Sequence, residues 1–374
     1  MASRPLVPEH IARLVPYAPG KPVSEVQREL GLDFAVKLAS NENPLGPSPK
    51  ALEAVRRAAA EMHFYPDGGC YYLRAALAEH FGVQSDELLL GNGSNELIEL
   101  LIHAFVIPGT HMVTSASTFV IYKLATQAMG HAFREVPMGP GRAYDMSALA
   151  SAVDQDTRLV FIANPNNPTG THIGAAAMDA FISEMDERAG DDPPILVLDE
   201  AYHEYVDAPD APDSMAILRR RPRTVILRTF SKAYGLAGIR CGYGFTSPEI
   251  VSQINRIRAP FNVNSLAQVA AMAALTDDEF LGRAVAVNRE GKAWVGEQLT
   301  ALGLTVTPSQ TNFLLVDFHV EARPIFEQLM THGVITRPMG GYGLPTCLRI
   351  SIGLPEQNAM MVAALDAVLG SVAT

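Results

Sequence analysis

The sequence predicts an α/β protein: a mostly parallel sheet between helices, with a second, smaller α+β lobe. Three observations carry that prediction. The chain has 374 residues, too many for one small core. From about residue 88, short apolar runs alternate with stretches of helical spacing. After about residue 265 the alternation gives way to long helical stretches and two further apolar runs.

Taken in order, the first 35 or so residues are proline-rich, and PYAPGKP reads as an extended arm. KLASNENPLGPSP is a turn-rich loop, and KALEAVRRAAAEM after it has helical spacing. ELLLGNG reads as a strand and SNELIELLIHAF as a helix; HMVTSAS as a strand and FVIYKLATQAMG as a helix. RLVFIANP, PPILVLDEAY, TVILRTFS and GIRCGYGFT read as further strands. Continuous leucine and β-branched runs mark strands buried on both faces. SLAQVAAMAALTDDEF and RAVAVNREGKAWVGEQL are helical, TNFLLVDF and CLRISIG are strands, and a helical tail follows. The expected divisions are an arm over 1–35, a large unit over 36–265 and a small one over 266–374.

Apolar residues make up 48% of the chain and charged residues 18%, as in a folded enzyme. A net charge of −11 argues against a nucleic-acid or anionic-membrane surface. MASRPLVPEHIARL has no apolar segment of the kind a signal peptide needs, and ELIELLIHAFVIPG is broken by two glutamates and a histidine. Cys70, Cys241 and Cys347 are far apart and lack CxxC spacing, so they read as reduced, structural cysteines of a cytoplasmic protein.

The unusual residues cluster at the strand ends, where ligands bind in open parallel sheets. In LLLGNGSNE, Gly91 and Gly93 sit between strand and helix, Ser94 suits an N-cap, and the free amides of that turn can hold an anion. It lacks the third glycine of a dinucleotide fingerprint. ANPNNPTGT turns sharply after a buried strand and offers Asn167 at the ligand edge. In ILVLDEAYHEY, Asp199 ends a fully apolar strand. A nucleotide hydrolase would need a GxxxxGK[ST] loop, which is absent, and no HExxH supports a metal at His203.

TFSKAYGLAGIR holds one lysine, Lys232, among small and apolar residues. Such surroundings favour its neutral form, which can attack a carbonyl. Thr229, Ser231 and Arg240 carry the groups that hold a phosphate. An aspartate facing a pyridine nitrogen keeps it protonated. Lysine, phosphate donors and buried aspartate together specify pyridoxal phosphate.

NPNNPTG, DEAY and SKxxGLAGxRxGY, in that order, resemble the fold-type I pyridoxal-phosphate aminotransferases. PYxPGKP and SNENPLGPSP point to the histidinol-phosphate aminotransferase subgroup, and the resemblance covers nearly the whole chain. It implies a seven-stranded sheet in the large unit and a cytoplasmic homodimer with shared active sites. It implies that Lys232 is the Schiff-base lysine, Asp199 the partner of the ring nitrogen, Asn167 and Tyr202 the partners of the ring oxygen, and Phe119 the stacking aromatic. Gly93, Ser94, Asn95, Thr229, Ser231 and Arg240 would hold the phosphate, with Tyr65 reaching over from the neighbouring subunit. Arg349, Arg337 and Tyr17 would hold the substrate. The family usually has Asp at the position of Asn95 and Pro at that of Ser117. The implied reaction is transamination between histidinol phosphate and 2-oxoglutarate in histidine biosynthesis, with Lys232 moving the proton. The same motifs leave open an aromatic amino-acid aminotransferase and a threonine-phosphate decarboxylase. A cofactor-binding regulator would need a DNA-binding module, and the chain has no length to spare for one.

Overall fold

The computed structural model describes residues 5–16 and 20–372, so Tyr17 lies outside the described residues. Its larger sheet has seven strands: β1 (Leu88–Gly91), β2 (His111–Ser115), β3 (Ala132–Val136), β4 (Thr157–Ala163), β5 (Ile195–Asp199), β6 (Thr224–Thr229) and β7 (Gly242–Phe245). They lie in the order β1-β7-β6-β5-β4-β2-β3. All neighbours are parallel except at β7, which runs antiparallel to β1 and β6. This is the mostly parallel sheet that the apolar runs predict.

Helices cover both faces. Leu97, Ile98 and Leu101 of helix Ser94–Phe105 pack with Val197, Val225 and Leu227 on one side. Met178, Phe181 and Met185 of helix Ala175–Ala189 pack with Val160, Ile162 and Leu196 on the other. With both faces buried, the central strands have no polar side to alternate, hence their unbroken apolar sequences.

The smaller sheet is antiparallel, with β8 (Thr305–Val306), β9 (Phe313–Asp317), β10 (Arg337–Pro338) and β11 (Cys347–Ser351) in the order β10-β11-β9-β8. Val295, Leu299, Leu314, Ile325, Ile350 and Leu365 form its core with the flanking helices.

Three local readings change. The first 35 residues, proline-rich and without evident periodicity, contain helices Glu9–Ala12 and Val23–Leu30 on either side of PYAPGKP. The second follows Pro22, stops at Gly31 with φ 66°, and buries Val26 against Ala39 and Ile335. Strand β3 was not foreseen; it is a sheet edge beside β2, and its half-exposed AFREV lacks the buried-strand pattern. SLAQVAAMAALTDDEF breaks at Thr276–Asp277 into helices Ser265–Leu275 and Asp278–Ala301.

That break is also where packing changes sides. Ala267, Ala270 and Ala271 lie in the core of Ala51, Leu73 and Leu77, with the larger sheet. Val36 and Leu38 lie in the smaller core, because Val36–Lys37 pairs in parallel with Val334–Ile335.

Candidate active site

A cavity of about 120 Å³ lies at the carboxyl ends of β4, β5 and β6. Ser94, Asn95, Phe119, Asn167, Asp199, Tyr202, Thr229, Ser231, Lys232 and Arg240 line it. Strand ends and the turns after them bring together residues more than a hundred positions apart. Ala163, Pro165 and Ala201 complete the wall, and the sequence reading did not single them out.

Helix Ser94–Phe105 begins one residue earlier than a Ser94 cap implies. Gly93 occupies the cap position with φ 79° and ψ 164°, and Ser94 is the first helical residue. No side chain caps this helix, so its first-turn amides remain available to an anion. Two glycines make the approach possible. A Cβ on Gly93 would stand 2.3 Å from Arg240 Nη2, and one on Gly242 2.3 Å from the Ser94 nitrogen. Thr229 Oγ1 donates to Ser231 Oγ at 3.0 Å, and Arg240 Nη1 donates to the same oxygen at 3.3 Å. Hydroxyls, guanidinium and amides thus gather at one end of the cavity.

Asp199 also lines the cavity and is 4% exposed. Burial raises its carboxyl from 3.8 to about 6, against the opposing pull of the Tyr122 hydroxyl, which donates to Oδ2 at 2.6 Å, and of the Ala201 amide. Lys232 Nζ donates to the Ser40 carbonyl at 3.1 Å. Burial lowers its ammonium to about 7, assisted by the positive charges of Arg349 and Arg240. The Tyr202 hydroxyl accepts from Asn41 Nδ2 at 2.8 Å, which leaves its own proton to donate; burial pushes that phenol up to about 12.

The smaller sheet reaches this cavity through Arg349. Its Nη1 donates to Asn167 Oδ1 at 2.5 Å and its Nη2 to the Ala39 carbonyl at 2.7 Å. With its oxygen engaged, Asn167 has its amide nitrogen left as a donor. Arg337 lies opposite Arg349 in the β10–β11 register, and like charges so placed repel unless an anion lies between them. Neither arginine lines the small cavity itself. Tyr65 is elsewhere: it is 83% exposed and stacks on Phe261 with ring centroids 4.9 Å apart.

Tyr122, Asn41 and Ser40 were missed. SNEN was visible as a motif, but nothing in it says that Asn41 meets Tyr202. Tyr122, three residues after Phe119, looks like any core aromatic, stacked on Phe161. Its hydroxyl makes a test possible. The folded carboxyl of Asp199 titrates above its unfolded value, so the ligand-free protein loses stability as pH rises from about 4 through about 6. Tyr122→Phe removes a donor to the charged form and extends that loss to higher pH. Chemical unfolding at pH 8 is expected to show the variant about 1.5–3 kcal/mol less stable, with the gap closing below pH 6.

The sequence model described as "Aminotransferase class I and II" matches residues 35–365. A histidinol-phosphate aminotransferase of Anaeromyxobacter sp. strain Fw109-5 is 49% identical over 368 residues, covering 98% of this chain and all of the relative. One of Moorella thermoacetica is 47% identical, covering 99% of this chain and 94% of the relative. The crystal structure of histidinol-phosphate aminotransferase from Sinorhizobium meliloti in complex with pyridoxal-5'-phosphate superposes with a TM-score of 0.90 at 31% identity, covering 99% of each chain. Thermus thermophilus aspartate aminotransferase with maleate, at 23% identity and a TM-score of 0.83, shares the fold. Matched over nearly its whole length, and with a lysine, an aspartate and a set of anion donors gathered at its strand ends, the chain belongs to the aminotransferase class I and II family.

Proposed function

We propose that this protein is a pyridoxal-phosphate-dependent histidinol-phosphate aminotransferase, exchanging the amino group between histidinol phosphate and 2-oxoglutarate in histidine biosynthesis. One observation carries the chemistry: Lys232, poised near neutrality, shares a cavity with the buried Asp199 and with Thr229, Ser231 and Arg240. The names of the relatives support the substrate.

The residues present fit the cofactor. A buried carboxylate whose pKa is raised by its surroundings is relieved by a cation, which a protonated ring nitrogen provides. The uncapped helix start, two hydroxyls and Arg240 suit a phosphate. Pyridoxal phosphate, when bound, supplies an electron sink for the carbanion formed at the amino-bearing carbon. Asp199 would hold the positive charge at the ring nitrogen. Asn167 Nδ2 and the Tyr202 hydroxyl would donate to the ring oxygen, and Phe119 would lie against the ring. Gly93 allows Arg240 to reach the phosphate end, where Ser94 and Asn95 contribute amides. Lys232 Nζ would anchor the cofactor, then take the proton from the substrate's amino-bearing carbon and deliver it to the cofactor carbon on the other side of the nitrogen, so that the amino group stays behind. Its pKa of about 7 suits both directions of transfer near neutral pH.

Arg349 and Arg337 serve the acidic end of both substrates, since a guanidinium fork matches a phosphate and a carboxylate alike. Arg349→Ala is expected to raise KM for both substrates by about 10- to 100-fold, with a smaller fall in kcat, measured by steady-state kinetics. Tyr17 is assigned to the same end. Tyr65 serves a second copy's phosphate site across a homodimer. Its exposure, beside exposed Met62, Phe64, Tyr71, Tyr72 and Phe261, supports a covered surface. Three free, buried cysteines support a reducing, cytoplasmic setting. Along the chain, we place the arm at 1–35, the large unit over 36–265 and the small unit from 266, with the packing boundary one helix later, at Thr276–Asp277.

Single-turnover visible spectra test the reading. The band of the lysine-bound cofactor is expected to disappear rapidly with histidinol phosphate and slowly with phenylalanine. Equal rates would make the protein a broad aromatic aminotransferase, and absence of any initial band would remove the cofactor.

A further inference from the structure

Three strands lie side by side at one edge of the larger sheet, β4, β2 and β3, and the loop after each reaches the smaller sheet. After β4 comes Asn167, which accepts from Arg349. After β2, Ser117 Oγ donates to the Tyr342 carbonyl at 2.7 Å. After β3, Arg142 pairs with the Asp317 carboxylate, and its Nη1 donates to Thr307 Oγ1 at 3.2 Å.

The ties from Ser117 and Arg142 land on the hairpin that carries the two substrate arginines. Tyr342 lies in the connection between β10, with Arg337, and β11, with Arg349. Asp317 stands opposite Cys347 in the β9–β11 register, at the start of the strand that bears Arg349. At their other ends the ties spring from the cavity wall. Ser117 shortly precedes Phe119, which lines the cavity. Its carbonyl accepts from Asn166 Nδ2 at 3.1 Å, and Asn166 Oδ1 accepts from Thr118 Oγ1 at 2.8 Å. Asn166 adjoins Asn167, so the loops after β2 and β4 are bonded into one piece. The Arg142 carbonyl accepts from Thr171 Oγ1 at 3.3 Å, which joins the loop after β3 to them.

The backbone at both ties is unusual. Ser117 has φ 49° and Arg142 φ 60°, in the left-handed region that favours glycine. Such conformations persist where the surrounding contacts over-determine them, and they gather at functional sites. Glycine would make either turn at less strain, so the two side chains are present for the contacts they make. Arg349 has its own tie to Asn167, but a guanidinium that must also take up an anion is a poor sole anchor for its strand.

We infer that Ser117 and Arg142 are positioning residues, a clasp that holds the arginine hairpin in place over the cavity before any substrate arrives. The inference rests on the assignment of Arg349 and Arg337 to the acidic end of the substrates. A hairpin fixed in advance spares the substrate the cost of ordering it. The clasp therefore acts on binding and leaves the proton transfer at Lys232 alone.

Ser117→Gly and Arg142→Gly remove the side chains without new strain, because glycine suits both φ values. In the cofactor-loaded enzyme, each is expected to raise KM for histidinol phosphate and for 2-oxoglutarate about 3- to 10-fold. Turnover (kcat) should stay within about twofold and the melting temperature within about 3 °C. Arg142→Lys keeps a charge for Asp317 and should recover part of the loss. Hydrogen exchange over residues 339–347, followed by mass spectrometry without substrate, is expected to be about tenfold faster in both glycine variants. Unchanged exchange, unchanged KM, or a fall in kcat and melting temperature at constant KM would each overturn the proposal. An unmodified enzyme that turns over neither substrate would count against the reaction assigned to the cavity, and the exchange rates would then decide on the clasp alone.

Discussion

Lys232→Ala protein is expected to show no visible band of lysine-bound cofactor and to turn over about 10⁴-fold more slowly than the unmodified enzyme. The size follows from two roles in one atom. In the proposed reaction Nζ anchors the cofactor and then carries the proton, and no other side chain lining the cavity suits the second task. Asp199 is committed to a charge, Tyr202 is held protonated by burial up to about 12, and Arg240 never releases a proton. Substitution should leave the fold intact, because among the described residues the lysine's side chain makes one hydrogen bond, to the Ser40 carbonyl at 3.1 Å. Circular dichroism would check the fold, and absorbance with single-turnover kinetics the chemistry. A variant that keeps the band and the wild-type rate removes Lys232 from the mechanism.

Asp199→Asn is expected to lower turnover by about 10³-fold while making the ligand-free protein no less stable. The amide keeps the shape of the carboxylate but cannot balance a protonated ring nitrogen. The stability half of the prediction comes from burial. A carboxyl raised from 3.8 to about 6 carries a penalty of roughly 3 kcal/mol at neutral pH, which an uncharged side chain does not carry. The unmodified protein should therefore lose stability between about pH 4 and pH 6, and the variant should have lost that slope. Turnover and stability moving apart would show that the charge is kept for chemistry. If both fell together, Asp199 would be a structural residue.

The residues that the structure brings together around the cavity were legible because each breaks a local rule. Lys232 stands among apolar residues, Asp199 ends an apolar strand, and Asn167 follows one between two prolines. The apolar runs of β2, β4, β5 and β6 were legible for the complementary reason: burial on both faces leaves no alternation to misread. What stayed hidden depends on contacts between distant segments. Tyr122 meets Asp199 across 77 positions and Asn41 meets Ser351 across 310, and neither pairing alters the local pattern. Helix Val23–Leu30 was masked by prolines that start it rather than exclude it. The Ser94 reading was off by one because Gly93, with φ 79°, can take the cap position without a side chain.

The pairing of Val36–Lys37 with Val334–Ile335 has a consequence for synthesis on the ribosome. The Asn41 amide nitrogen donates to Ser351 Oγ, its side-chain nitrogen to Tyr202, and its carbonyl accepts from Asn312. All seven strands of the larger sheet emerge by Phe245, long before Val334 and Ser351 do. The nascent chain can therefore hold a folded sheet while an early segment, next to Asn41, waits for partners not yet made. Tyr202 acquires its orienting neighbour only when the end of the message is read. A chain stopped short of Ser351 would emerge with Asp199 at its strand end but with Lys232 and Tyr202 both lacking the partners that Ser40 and Asn41 provide, so premature termination is expected to yield a folded sheet rather than a partly active enzyme.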